Sequence, residues 1–386
     1  MRVLLVAATT GYQTRAFSEV ARKIGCELVL ATDRCHVLDD PWGDNAVAWG
    51  EGLESLPARG PFDGIVAVGD RPAYIAALAA ERLGLRFSPP DAVMAASDKF
   101  LARQKFRAEG LLTPAYKLID RPTGGAQYPC VLKPLGLSGS RGVIRANNAQ
   151  EFAAAFARIK NIAAEPSVLV ENFIPGHEYA LEGLVTGGRL RPLALFDKPD
   201  PLDGPFFEET IYVTVAMNRA IVETTQRAVT ALGLTDGPIH AEMRVNDRGV
   251  WMLEVAARPI GGLCSRVLRF THGRSLEEVI LRHAVGEDMS EARLENGAHA
   301  VMMIPIPRAG VYLGVSGVDD ARAVGGIEDV IVTAKQGQAM LQLPEGASYL
   351  GFVFSRAETP ELAVQALREA HARLEFEFAV KLPVVK

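Results

Sequence analysis

The chain has 386 residues, too many for one ordinary core, so two or three domains are expected. Hydrophobic residues make up 48% and charged residues 23%, the usual balance of a globular protein that stays in water. The formal net charge is −5 and no basic tract occurs, so neither a nucleic acid nor an anionic membrane is an expected partner.

From the N-terminus, Val3–Ala7 reads as a buried parallel strand. This apolar run is too short for a signal sequence, and no stretch approaches the ~18–20 apolar residues that cross a bilayer. Residues 14–24 have helical spacing, with Ala16, Phe17, Val20, Ala21 and Ile24 on one face. Strands follow at Glu27–Ala31 and Gly64–Val68, then a helix over Ala73–Leu83 that ends at Gly84. This is a small doubly wound α/β unit. Ser88-Pro89-Pro90-Asp91 punctuates the chain, and a short helix leads to a second one running from Lys99 to Glu109. Between Pro129 and Leu253 strand-like runs dominate: Cys130–Lys133, Val168–Glu171, Tyr179–Val185, Leu193–Phe196, Ile239–Val245 and Val250–Val255. One long helix, Arg219–Leu232, lies among them, giving an α+β segment with mostly antiparallel sheet. The tail from Ala298 reads as strands plus a helix over Pro360–Glu375. Cys26, Cys35, Cys130 and Cys264 are scattered without CxxC spacing, which predicts free thiols and a reducing, cytoplasmic setting.

Three segments carry chemistry. A strand ending in Lys133 runs into Pro134-Leu135-Gly136-Leu137-Ser138-Gly139-Ser140-Arg141-Gly142. Such glycines let successive N–H groups approach a polyphosphate, and the lysine adds a point charge. GxxxxGK[ST] is absent, and the lysine precedes the glycines, so the loop is neither a P-loop nor a dinucleotide fingerprint. Taken alone it could equally be a surface hairpin. In the second segment, Asn246-Asp247-Arg248-Gly249 turns a hairpin that brings Glu242 and Glu254 roughly across the ladder from each other. Two such carboxylates repel unless a cation lies between them, and Mg²⁺ suits them better than zinc. The bland alternative pairs each glutamate with Arg244 or Arg258 on an exposed face. The third segment, Glu171 to Glu178, offers acceptors for an adenine amino group or ribose hydroxyls, or else is a solvated turn. His240 is expected to point to the sheet face opposite Glu242, and His177 and His272 to lie in loops.

In this order and spacing, the Lys99 helix, the Lys133 strand and loop, Glu171…Glu178 and the Glu242/Glu254 hairpin resemble the ATP-grasp superfamily over about residues 1–295. The resemblance implies an ATP-grasp fold in three parts. These are an N-terminal doubly wound α/β domain over 1–95, an ATP-grasp nucleotide-binding and catalytic domain over 96–295, and a small C-terminal α+β domain over 296–386. It also implies site roles. Lys99 and Lys133 contact the ATP phosphates, and the loop with Gly136, Ser138, Gly139 and Ser140 closes over them. Glu171 and the backbone near Phe173 and Ile174 read adenine, and Glu178 holds the ribose. Glu242 and Glu254 bind Mg²⁺, with Mn²⁺ the alternative, and Arg258 stabilises developing charge. The superfamily often places a metal-binding Asn two residues after the last Glu, where this chain has Ala256. The stretch Glu254-Val-Ala-Ala-Arg258-Pro-Ile-Gly261-Gly262 looks instead like the L-amino acid ligase branch, and residues 351–371 resemble the small closing domain of those ligases. Gly261 and Gly262 then leave room for a substrate. The Pro-rich stretch 196–210 reads as a lid or else as a disordered surface connection; the resemblance to the ligases implies that it lies over the acceptor pocket, with Lys198 and Glu209 as substrate contacts.

The implied reaction joins a small-molecule carboxylate to an amine, with amino acids as the expected substrates. Such ligases are commonly homodimers, and the sequence leaves the oligomeric state open. A carboxylase-like enzyme using bicarbonate and a non-catalytic ATP-binding protein are the alternatives; no biotin-attachment motif is present.

Overall fold

The computed structural model describes residues 1–8, 11–32, 46–48, 60–122, 126–163, 165, 167–200, 204, 206, 210–346 and 348–379. The N-terminal unit is a parallel four-stranded sheet in the order Ala46–Ala48, Glu27–Thr32, Arg2–Ala7, Gly64–Val68. Its inner strands are apolar on both faces because helices cover them: Val3, Leu4, Leu5 and Leu30 are fully buried. The helix Asp70–Leu83 starts directly after Gly64–Val68 and ends at Gly84 in the left-handed conformation. It therefore places Asp70, in its first turn, at the carboxyl end of the sheet, where open α/β sheets bind ligands.

Two short helices, Pro90–Ser97 and Lys99–Ala108, carry the chain away from this unit. Asp98 caps the second by accepting from the N–H groups of Phe100 at 2.8 Å and Leu101 at 3.0 Å. Such a cap contributes about 1 kcal/mol and fixes where Lys99 begins its turn. A small lobe follows, with a four-stranded antiparallel sheet in the order Tyr116–Ile119, Val168–Asn172, Cys130–Lys133, Ile144–Ala146. The helix Ala149–Ile162 packs on it through Phe152, Ala155, Phe156 and Ile159.

The main body is an eight-stranded, wholly antiparallel sheet. Its order is Gly249–Ala256, Gly237–Asn246, His177–Thr186, Arg189–Lys198, Ile211–Val215, Ala298–Ile304, Gly351–Ala357, Ile327–Val332. The sheet thus runs without a break from the hairpin glutamates into the C-terminal residues. Helix Arg219–Leu232, capped by Asn218 and ended by Gly233, covers one face. Helix Pro360–His371 is shorter than the expected span to Glu375 because the chain turns and enters the strand Glu375–Ala379. Leu374 is buried nonetheless.

Cys26, Cys130 and Cys264 are free and buried; Cys35 lies outside the described residues. Among the described residues, no helix is long and apolar enough to cross a membrane.

Candidate active site

A cavity of about 490 Å³ lies where the small lobe, the central sheet, the N-terminal unit and the C-terminal residues meet. The hairpin forms its floor. Asn246 pairs with Gly249 around a two-residue turn, and Glu242 pairs with Glu254 directly across the ladder, with a bulge just beyond. The two glutamates stand among apolar residues on a pleated face, where the opening above them and the cations beside them make their charge tolerable.

His240 corrects one expectation. Residues two apart on a strand share a face, and His240 does lie beside Glu242: its Nε2 is 3.4 Å from Glu242 Oε1, and its Nδ1 bonds Glu182 Oε1. Across the ladder from His240 stands Ala256, small and buried. Burial would lower the imidazole pKa, but the Glu182 and Glu242 carboxylates outweigh it and push it up to about 9. Burial works against the Glu242 carboxylate too, yet Lys198 and His240 hold it well below the usual range.

Lys198 is not in a lid. It is the last residue of the strand Arg189–Lys198, fully enclosed, with Nζ 3.2 Å from Glu178 Oε1 and 2.7 Å from Glu242 Oε1. Glu178 continues the chain of charges to Arg244 Nε at 2.8 Å. Arg244 in turn donates to the carbonyl of Ile174 at 2.7 Å and lies over the Phe173 ring. A ladder of alternating charge therefore runs under the cavity from Arg244 through Glu178, Lys198, Glu242 and His240 to Glu182. The hairpin glutamates do not pair with Arg244 and Arg258. Arg244 belongs to Glu178, and Arg258 is bound to Asp70 at 2.7 and 3.4 Å. Burial disfavours the charged Arg258, but Asp70 reverses this and raises its pKa further.

On the small-lobe side, Glu171 is enclosed by two cations, Arg103 Nε at 2.5 Å and Lys133 Nζ at 2.8 Å. Burial alone would raise its pKa; the two cations bring it down to about 2. Its carboxylate is thus engaged in an ion-pair triad. Phe173 donates its N–H to the Pro129 carbonyl at 3.1 Å. Lys99 donates to the Leu137 carbonyl at 2.6 Å and stands 3.9 Å from Glu254 Oε2. The glycine-rich loop lines the cavity from Gly136 to Arg141. Gly139 and Gly142 have φ of +64° and +72°, and Ser140 shares that region at +54°. These left-handed residues curl the backbone so that its amides can turn inward.

Gly261 and Gly262 line the far end. A Cβ on Gly262 would lie 3.1 Å from the Phe352 ring, at a backbone φ of +64°. Glu209 falls outside the described residues, as do 201–203, 205, 207 and 208 of the stretch expected to form a lid. Sequence reasoning missed Asp70, Gln13, Arg103 and Glu182, and missed the wall built by Leu341, Gln342, Leu343, Gly346, Ser348 and Tyr349.

The donor set fits a hard cation. Glu242 and Glu254 face each other over the cavity, and among the described residues no cluster of three or more His, Cys, Asp or Glu is placed to hold a metal. Two carboxylates with phosphate oxygens and water completing the shell are what Mg²⁺ prefers, and Mn²⁺ takes the same oxygens.

Comparison with known proteins bears on the fold. Residues 126–267 match the ATP-grasp domain, and residues 302–379 match the L-amino acid ligase C-terminal domain 2. An uncharacterized protein of Sinorhizobium fredii is 24% identical over 75% of this chain and 63% of its own length. The alanine–anticapsin ligase of Bacillus subtilis is 28% identical over 48% of this chain and 46% of its own. The chain thus spans less than two thirds of these relatives. The crystal structure of an L-amino acid ligase from Bacillus licheniformis superposes with a TM-score of 0.82 at 23% identity, covering 98% of this chain and 99% of that one. The fold is that of the ATP-grasp ligases.

Proposed function

Because the chain carries an ATP-grasp domain and the C-terminal domain of the L-amino acid ligases, we propose that it is an ATP-dependent carboxylate–amine ligase that joins two amino acids. The observation that carries this reading is the Glu242–Glu254 pair on the cavity floor, flanked by Lys99, Lys133 and Arg258.

The nucleotide lies under the small lobe. Its adenine is read by the backbone near Phe173 and Ile174, since the Glu171 carboxylate is engaged with Arg103 and Lys133. Glu178 faces the ribose, and the Gly136–Gly142 loop with Lys99 and Lys133 receives the phosphates. Glu242 and Glu254 hold Mg²⁺ or Mn²⁺, which when bound neutralises charge on the transferring phosphate. The first carboxylate attacks the γ-phosphate to give an acyl phosphate and ADP. The amine of the second substrate then displaces phosphate and forms the amide. Arg258 supplies fixed positive charge where the oxyanion develops. Gly261 and Gly262 leave space for the substrate backbone. Lys198 acts from beneath through Glu242, and Glu209 is proposed as an acceptor contact. The wall from Leu341 to Tyr349 keeps water from the acyl phosphate. A homodimer is the assembly expected from the resemblance, and light scattering tests it.

The test is phosphate release with Mg-ATP against amino acids singly and in pairs, with products identified by mass. Release that needs two amino acids and yields their summed mass less water is the expected result. Saturable nucleotide binding without release for any pair overturns the dipeptide reading.

A further inference from the structure

Glu182 is 1% exposed and is not among the residues that line the cavity, so it touches no substrate. It lies on the strand His177–Thr186, third in the eight-stranded sheet, on the face it shares with Ala180 and Leu184, both buried and apolar. An apolar side chain would fill that position without the cost of desolvating a carboxylate. The carboxylate spends its two oxygens on two different parts of the site. Oε1 takes the Nδ1 side of His240, leaving Nε2 directed at Glu242. Oε2 accepts the backbone N–H of Ile260 at 3.0 Å. The carbonyl of the same Ile260 accepts from Gln13 Nε2 at 2.8 Å, so the turn between Arg258 and Gly261 is clamped from both sides.

We propose that Glu182 is a positioning residue that sets the metal-side carboxylate Glu242, through His240, in register with the Arg258–Gly262 turn. One anion braces both halves of the reaction centre, the half that handles phosphate and the half that handles the acyl group. A ring held at one nitrogen by a carboxylate keeps a fixed orientation, and losing such outer partners costs metal sites about 10–100-fold. The inference rests on the ligase reading for its effect on turnover, but its effect on the cation site does not need turnover.

The experiment uses Glu182→Gln and His240→Gln, singly and together, in the full chain. Two quantities are read: the Mg²⁺ concentration that half-saturates ADP-induced thermal stabilisation, and kcat and KM for ATP in amino-acid-dependent phosphate release at saturating Mg²⁺. Glu182→Gln is expected to raise the Mg²⁺ requirement by about tenfold and to lower kcat by about 10–100-fold, with KM for ATP within about twofold. The double variant should fall no further than the worse single, because the two residues act as one unit. A Mg²⁺ requirement and kcat within about twofold of the parent, or losses that multiply in the double variant, overturn the proposal. If Glu182→Gln fails to melt cooperatively, His240→Gln alone carries the same Mg²⁺ expectation. If the parent releases no phosphate with any amino-acid pair, the ligase reading fails, and the Mg²⁺ requirement for ADP still decides on Glu182.

Discussion

Glu171 and Glu254 line the same cavity but live in opposite surroundings. Glu171 is closed in by Arg103 and Lys133, and its charge is spent on holding the small lobe against the Lys99–Ala108 helix. Glu254 keeps about a fifth of its side chain open and has Lys99 at 3.9 Å, beyond hydrogen-bond range. Closed in by two cations, Glu171 builds the site; Glu254, left with a distant partner, has capacity for a ligand. Identity of residue type therefore says little about role until the neighbours are counted.

The sharpest way to break this contrast is to remove Glu254 and, separately, a cation that closes in Glu171. Glu254→Ala should leave the melting temperature within a few degrees and abolish phosphate release. Loss of a cation ligand removes several kcal/mol of charge stabilisation, about a hundredfold or more in rate. Arg103→Ala should do the reverse, leaving Glu171 with one partner in a buried place. Breaking a buried pair in this way costs about 3–5 kcal/mol, read by urea denaturation. Lowering the pH sharpens the same point. The Glu171 pKa lies near 2, below that of an unfolded carboxylate, so its contribution is complete above about pH 4.5 and fades as pH falls toward 2. A chain with Glu171→Gln should lose that part of the acid sensitivity, about 2 kcal/mol between denaturation curves at pH 5 and pH 3. The smallest effect belongs to the surface. Arg158 and Glu345 tie the small lobe to the C-terminal wall through a bidentate pair whose side chains are over a third exposed. Glu345→Gln should shift stability by less than about 1 kcal/mol, and if it acts at all it should act on KM for ATP through lobe closure.

The sequence was most legible where one segment carries its own signal. Cys130–Lys133 and Arg219–Leu232 lie over the residues expected for them. Helix Ala149–Ile162 carried similar signals, with Asn148 and Glu151 capping and Phe152, Ala155, Phe156 and Ile159 in helical spacing, but it was hidden among strand-like runs. The hairpin register followed from its turn residues, and with it the facing glutamates. What stayed hidden depends on packing between distant segments: Asp70 meets Arg258, Gln13 meets Ile260, and Arg103 meets Glu171 across gaps that no local pattern spans. His240 was misplaced by parity alone, since positions 240 and 242 fall on the same side of a pleat. Lys198 looked like part of a Pro-rich loop because its neighbours are, yet it closes the strand before it.

The unbroken eight-stranded sheet bears on how this chain can be cut. Ile211–Val215 pairs with Ala298–Ile304, and its Ile211 and Val213 are buried against the C-terminal core. A chain trimmed after residue 295 would keep every charged residue of the cavity floor and still expose a bare apolar strand edge, which invites pairing between copies. It would also strip the wall from Leu341 to Tyr349. Such a fragment should be recovered as aggregate, so the tail is as much a requirement for solubility as for enclosure.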